Sequence, residues 1–518
     1  MPKTVHSKLA DALERATKVA RRNFLRASDL SRGNRNYLLP RGYLQEIIKG
    51  WYLLTRPAEH PGESTAWYAS FWDFLAVYLQ SRFGTDYCLS APSSLDLHMG
   101  GYVVPQQVVA MSTKGSAGRL DLPHNTSLVV YQDLKNIPAV VEDVGGMRTM
   151  PLSTALCRMP PSFFENDPLT AEIALRAVRS VDDLSRIILE INSPTLAARL
   201  AGAYLFIKDP AKAKQILDSA RATDMIVEPK NPFLKSAPVL SGTSRLVSPY
   251  AGRIEALFKT SRGRVLDVFK DMPPQRVSDP ASYLQHVEAV YEHDAYNSLF
   301  IEGYQVTPEL IEKIRHGNWN SDGNPQDQKE IAAMAAKGYL LAFREVNKCV
   351  GLVLNGEPAT AIVRREYQTW YRALFSESVR AGILEPYRLA GHRNGPIFIR
   401  TSRHVPPPHD AISDALDALF CSLDTENQPI VRAVLGHWLF GFIHPYIDGN
   451  GRTARFLMNV MMASGGYPWT IVRMTRRAAY LEALNIASVK QDISHFAKFI
   501  REEMSIDWSK EPIRNSGT

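Results

Sequence analysis

The sequence predicts a mostly α-helical, multidomain protein whose α+β N-terminal half precedes a helical C-terminal half. Three observations carry this expectation. A chain of 518 residues exceeds what one ordinary core fills, and points to about two to four domains. Its 45% hydrophobic and 22% charged residues are the composition of a globular protein. Apolar residues recur at helical spacing after residue 169, whereas β-like runs such as Ser127-Leu128-Val129-Val130-Tyr131 lie in the first 160 residues.

Residues 1–60 hold twelve Lys or Arg against five Asp or Glu, an excess of seven that equals the net charge of the whole chain. A basic module on a neutral remainder suggests a polyanion partner. Ser7 to Phe24 reads as one helix, Leu25 to Leu30 as the turn into a second short one, and Leu38 to Leu54 as two strand-like runs around Lys49-Gly50-Trp51-Tyr52. This pattern looks like a winged helix and resembles the N-terminal domain of AbiEi-like antitoxins of abortive-infection systems. The resemblance implies DNA as a partner of residues 1–60, with a helix in the major groove and Lys and Arg on phosphates.

Residues 61–225 read as an α+β and then helical domain, with Leu175, Val178, Leu184, Ile187, Ile188 and Ile191 as a core stripe. Residues 226–280 are dense in Pro, Ser, Gly and Lys and read as a linker containing one helix, Ile254 to Phe269. Residues 281–505 form the helical C-terminal domain, and 506–518 a tail. No apolar run approaches the roughly 18 residues of a spanning helix, so no membrane partner is expected. The charged first segment lacks a secretory core, and Cys88, Cys157, Cys349 and Cys421 fit no zinc spacing. Buried, reduced thiols in a cytoplasmic protein are the expectation.

The densest chemistry lies in His444-Pro445-Tyr446-Ile447-Asp448-Gly449-Asn450-Gly451-Arg452-Thr453-Ala454-Arg455, between two apolar helical runs. His444 ends the first run, and Gly449-Asn450-Gly451 opens the second. Amides at a helix N-terminus lack helical partners and face an anion, and glycine lets a phosphate approach the backbone. Arg452 and Arg455, three apart, share the first turn and can grip phosphate oxygens. Asp448 beside them conflicts with bare phosphate, a conflict that Mg²⁺ resolves by binding both. His444, neutral near pH 7, is suited to take a proton from a hydroxyl. The string therefore points to metal-assisted attack of a hydroxyl on a nucleotide phosphate.

This string closely resembles the Fic signature His-Pro-Phe-x-Asp/Glu-Gly-Asn-Gly-Arg-x-x-Arg, with Tyr446 in place of Phe. The resemblance implies an all-α Fic domain with a β-hairpin flap, transferring AMP from ATP to a Ser, Thr or Tyr hydroxyl of a target protein. By motif position His444 is then the base, Asp448 the Mg²⁺ ligand, and Asn450 with the backbone of Gly449 and Gly451 the anion hole. Arg452 holds the β-phosphate side and Arg455 the γ-phosphate. Tyr446 serves as a packing anchor if its hydroxyl finds a partner.

Ser298-Leu299-Phe300-Ile301-Glu302-Gly303 ends a helical stretch at 281–303 and resembles the inhibitory motif Ser/Thr-x-x-x-Glu-Gly/Asn of the same family. A carboxylate paired with Arg455 keeps that arginine from the γ-phosphate. An autoinhibited enzyme is expected, with Ser298, Glu302 and Gly303 as the inhibitory residues; in some relatives the glutamate also supports removal of AMP.

Tyr387 to Arg400, with its Gly395-Pro396 turn, reads as a hairpin and resembles the family's flap. Gly395, Ile397, Phe398 and Ile399 would then hold the target by strand addition. Tyr480 stands where relatives have the adenosine-side helix, with Asn485 or Ser488 in place of a customary Asn. Two alternatives stay open, a DNA-binding transcriptional regulator using the domain as a nucleotide sensor and a Fic enzyme using a different nucleotide donor; the transferase reading itself is compatible with control of its own operon or with a toxin–antitoxin-like system. An oligomer is compatible with all of them.

Overall fold

The computed structural model describes residues 5–55, 57, 64–116, 118–234, 238–240, 248–316, 331–400, 402–508 and 510–511. Residues 1–4, 56 and 58–60 of the expected basic module, 235–237 and 241–247 of the expected linker, and 509 and 512–518 of the expected tail lie outside the described residues. The chain divides into two compact units, Met1–Pro249 with Phe398–Val405, and Tyr250–Ile397 with Pro406–Thr518.

The first unit opens with α1 (Val5–Val19), β1 (Phe24–Arg26), α2 (Arg32–Leu38), β2 (Leu44–Ile48) and β3 (Trp51–Leu54). Ala12 and Ala16 of α1 pack with Leu25, Leu30, Leu38, Leu44 and Tyr52 in a small core of its own. The strands form one antiparallel sheet in the order β1-β3-β2. The expected helix to Phe24 stops earlier, because Arg22 and Asn23 take positive φ and Phe24 pairs with Leu53. Leu25 and Arg26 of the expected turn lie in β1, and the expected second short helix follows that turn, at Arg32, where the Ser31 hydroxyl accepts from Asn34 N.

Next come α3 (Thr65–Phe83), β4 (Tyr87–Leu89), α4 (Ala91–His98), β5 (Gln107–Ser112), β6 (Gly118–Leu122), β7 (Thr126–Gln132), β8 (Glu142–Val144) and β9 (Met147–Thr149). The larger sheet has the order β4-β5-β7-β6, parallel only between β5 and β7. Trp67, Phe71, Phe74 and Leu79 of α3 fill its core, with Val108, Leu128 and Val130. Six helices follow: α5 (Leu152–Arg158), α6 (Ser162–Asn166), α7 (Pro168–Ala177), α8 (Asp182–Glu190), α9 (Pro194–Phe206) and α10 (Pro210–Arg221). Three of them begin with Pro behind a capping Asp167, Ser193 or Asp209, where a missing N–H costs nothing. The expected α+β N-terminal half is thus present.

The second unit is helical: α11 (Pro249–Phe269), α12 (Pro280–Ala289), α13 (Tyr291–Ile301), α14 (Pro308–Arg315), α15 (Ile331–Leu354), α16 (Ala359–Arg380), α17 (Ile412–Thr425), α18 (Pro429–Ile443), α19 (Asn450–Ala463), α20 (Arg477–Lys490) and α21 (Ser494–Met504). Helices α18 and α19 are buried almost all round, as expected of central helices, and α15, α16, α17 and α20 pack about them.

The expected hairpin over 387–400 is not formed. Pro386–Leu389 is one 3₁₀ turn, and 396–399 have no regular structure and join no ladder among the described residues. Pro396 and Pro406 to Pro408 have no N–H to give, and Arg393 takes the carbonyls of Gly395 and Pro407 that a second strand would use. The bridge nearby is instead Val103 with His404, inside the first unit. Among the described residues no helix is long and apolar enough to cross a membrane. Cys88, Cys157 and Cys349 are buried, but Cys421, expected to be buried too, is exposed on the outer face of α17.

Candidate active site

Helix α18 ends in a left-handed turn. His444 has φ 52° and its amide still bonds Phe440 O at 3.0 Å. A non-glycine residue held there is a local cost that recurs at functional sites. The His444 Nδ1 lies 3.2 Å from Gly441 O, so the assigned tautomer carries its proton on Nδ1 and keeps the Nε2 lone pair for a substrate proton. Desolvation, helped by the nearby Arg393 charge, pushes the imidazole down to about 4. It is a neutral base at physiological pH.

The loop from 444 to 449 is braced by two side chains. Asn450 Oδ1 accepts from Tyr446 N at 2.9 Å and its Nδ2 donates to Tyr446 O at 2.8 Å. The Asn450 side chain, expected in the anion hole, is therefore spent on closing the loop, and only its amide faces the helix mouth. Tyr446 is 1% exposed and stacks on Tyr371 at 3.7 Å and 4°. It is the expected packing anchor, but its hydroxyl has no hydrogen-bond partner among the described residues. Arg393 supplies the other brace, donating from Nε to His444 O at 2.8 Å, from Nη1 to Gly395 O at 2.8 Å and from Nη2 to Pro407 O. Burial pulls its guanidinium down to about 10.

Gly449 caps α19 with φ +80°, and a Cβ there would strike Phe375. The amides of 450–452 then point out of the helix N-terminus, an anion seat by geometry and dipole. Arg452 is fully buried; its guanidinium lies 5.0 Å from the Phe375 ring centroid and 5.2 Å from that of Tyr304. Its Nη2 is 3.3 Å from Asp448 Oδ1, which also accepts from Gly449 N at 2.6 Å. The Asp448 side chain is half exposed. One carboxylate at the edge of an anion seat fits Mg²⁺, which keeps several waters and takes its other oxygens from phosphate. Among the described residues no group of three or more His, Cys, Asp or Glu gathers as a metal cage.

Arg455, 3% exposed, points toward α13. Its Nε donates to Ser298 Oγ at 2.9 Å, and its Nη2 to Ser298 O at 3.2 Å and to Glu302 Oε1 at 2.6 Å. Gly451 makes the approach possible, since a Cβ there would overlap Glu302 Oε1. Helix α13 is fastened further by Met474 N to Asn297 Oδ1 at 2.8 Å and Arg477 Nε to Ile301 O at 2.7 Å. Eight residues before Glu302, the buried Asp294 accepts from the Tyr339 hydroxyl at 2.9 Å; desolvation raises its carboxyl to about 6.

Tyr480 and Ser488, expected at a base or ribose, face inward instead. The Tyr480 hydroxyl lies 2.8 Å from His437 Nε2, and Ser488 Oγ accepts from Trp438 Nε1 at 3.1 Å. The face of α20 that carries them packs on α18 and α21; Asn485 is partly exposed. Ile397, Phe398 and Ile399 are half-buried, as is Gly395. Sequence reasoning gave no role to Tyr304, Tyr371, Phe375, Arg393, Asn297 or Arg477; Tyr371 and Phe375 lie outside every motif, and Asn297 and Tyr304 only flank the inhibitory one.

Residues 362–462, from α16 through α19, match the Fic/DOC family model. A protein adenylyltransferase Fic from Nematostella vectensis is 37% identical over 270 residues, covering 50% of this chain and 58% of that protein. One from Drosophila mojavensis is 27% identical over 220 residues, covering 42% and 40%. The chain thus spans about half the length of the curated relatives it matches. A solved structure of Fic-1 from C. elegans aligns with 68% of this chain and 88% of its own, at 18% identity and a TM-score of 0.36.

Proposed function

From the Fic domain that residues 362–462 carry, we propose that this chain is an autoinhibited protein adenylyltransferase, moving AMP from ATP to a Ser, Thr or Tyr hydroxyl of a target protein. The observation that carries the reading is the Arg455 guanidinium held by Glu302 at 2.6 Å, on the same helix end that offers an anion seat beside a neutral His444. The functional domain is assigned to 281–505; the inhibitory stretch expected as one helix over 281–303 is two, α12 and α13, and the inhibitory residues stand on and just after α13.

In the released state ATP lays its phosphates on the amides of 450–452, and Arg452 and Arg455 orient them. Asp448 is the residue that would hold Mg²⁺, which would supply charge neutralisation at the phosphates. His444 Nε2 takes the acceptor hydroxyl's proton as that oxygen attacks the α-phosphorus. The bond to the β-phosphate oxygen breaks, and pyrophosphate leaves. The 396–399 segment, which joins no ladder among the described residues, would pair with a target strand and position the hydroxyl without reading much sequence. A cytoplasmic location belongs to this reading. Incubation with α-phosphate-labelled ATP and Mg²⁺ tests it: Glu302→Gly labels itself or lysate proteins well above wild type, and Glu302→Gly/His444→Ala does not. Failure of Glu302→Gly to label removes the reading.

For residues 1–60 we infer a winged-helix DNA-binding module. Its support is the order of elements, α1-β1-α2-β2-β3, with the β2–β3 hairpin tip exposing Lys49 and α2 exposing Arg32 and Asn36. Arg and Asn are the side chains that read guanine and adenine edges. The expected result is duplex binding whose log affinity falls steeply with log salt, weakened by Lys49→Ala. Affinity independent of salt contradicts it.

A further inference from the structure

Glu302 is not the only group that α13 brings to the anion seat. The helix ends in a Schellman motif, with Tyr304 N bonding Leu299 O at 3.1 Å and Gly303 N bonding Phe300 O at 3.0 Å, around Gly303 at φ +93°. That double bond fixes Tyr304 relative to Glu302, so the two side chains descend on the site together. Glu302 takes Arg455. The Tyr304 ring lies over the Arg452 guanidinium at 5.2 Å, opposite Phe375 at 5.0 Å, and its hydroxyl donates to Asp448 Oδ2 at 3.4 Å. Arg452 is left fully buried on an anion seat that needs it open.

We propose that Tyr304 is a second blocking residue: it covers Arg452 and engages Asp448 while Glu302 engages Arg455, so the inhibitory segment closes both ends of the phosphate site. The inference rests on the transferase reading for its meaning, but its ligand is only a nucleotide triphosphate. Removing Glu302 frees the γ-phosphate arginine and leaves the β-phosphate arginine sandwiched between two rings. A cation over an aromatic face is held by about 0.5–2 kcal/mol, so release of Arg452 is worth about fivefold in nucleotide affinity. The hydroxyl contact to Asp448 adds a smaller share, because 3.4 Å is a long hydrogen bond.

The experiment measures ATP dissociation constants by calorimetry, with and without Mg²⁺, in the full chain carrying His444→Ala so that no turnover intervenes. Tyr304→Ala is expected to tighten ATP about fivefold, and Tyr304→Phe, which keeps the ring over Arg452, to tighten it less. Unchanged circular dichroism and thermal unfolding report that α13 is still docked. In the active background, Glu302→Gly/Tyr304→Ala is expected to label faster at low ATP than Glu302→Gly alone. Weaker ATP binding in Tyr304→Ala, or equal binding together with equal labelling, overturns the proposal. Tighter binding with no labelling by Glu302→Gly would leave Tyr304 as a blocking residue and remove the transfer reading, so the two fail separately.

Discussion

Replacing Glu302 should change nucleotide affinity by an amount the ion pair sets. The Arg455 side chain is 4% exposed and that of Glu302 23%. Breaking a buried pair by removing one partner costs about 3–5 kcal/mol, and partial exposure lowers this toward about 2 kcal/mol; Ser298 Oγ, which still accepts from Arg455, keeps it from rising. In the wild type, ATP must displace Glu302 to reach Arg455. In Glu302→Gly the γ-phosphate meets a buried cation in need of a partner. The difference of about 2 kcal/mol corresponds to about thirtyfold tighter ATP binding in the variant. Calorimetric titration of both proteins, each also carrying His444→Ala, measures it. Glu302→Gln, which keeps the size and loses the charge, should fall between them. Equal affinities for wild type and Glu302→Gly would refute the idea that the pair competes with the nucleotide.

Tyr446→Phe removes a buried hydroxyl without a partner and keeps the stack on Tyr371; urea unfolding of the C-terminal unit should show a gain of about 1 kcal/mol, and a loss would mean the hydroxyl is bonded in solution. Arg393→Lys puts all its donors on one nitrogen, which cannot reach the three separate carbonyls that Nε, Nη1 and Nη2 meet, so it should cost about 2 kcal/mol and speed hydrogen exchange at 391–397; unchanged exchange contradicts its bracing role. The depressed His444 pKa of about 4 means that the base form persists above that value and is lost only as pH falls through it. Labelling by Glu302→Gly should therefore stay flat from neutral pH down to about two units lower, and a fall centred near the ordinary imidazole value would show that His444 is more solvated than its burial implies.

The part of the site legible in the sequence is the part that is contiguous. His444 to Arg455 declares itself because a helix end, a glycine turn and a helix start fall within twelve residues, and α18 and α19 meet that spacing. Glu302 was legible through its short motif, although nothing local gives its 2.6 Å distance to an arginine 153 positions away. Tyr304 and Phe375 sandwich Arg452 from two other segments, and neither aromatic differs in type from a core residue. The family motif implies that the Asn450 side chain faces a ligand, but motif position does not reveal that its carboxamide closes the loop at Tyr446. The flap was misread for a related reason. A Gly-Pro turn and an apolar run predict a hairpin but not the partner that makes a strand, and 396–399 join no ladder among the described residues. Arg393 had already taken the carbonyls. The resemblance likewise put Tyr480 and Ser488 on an adenosine-side helix without saying that both side chains turn inward.

The most direct measurement is mass spectrometry of the protein products formed by Glu302→Gly with ATP and Mg²⁺. A single AMP group esterified to a Ser, Thr or Tyr hydroxyl, absent when His444 is also replaced by Ala and scarce with the wild type, is the result this account predicts. AMP on protein in equal amount from the wild type, or none from Glu302→Gly, would contradict it.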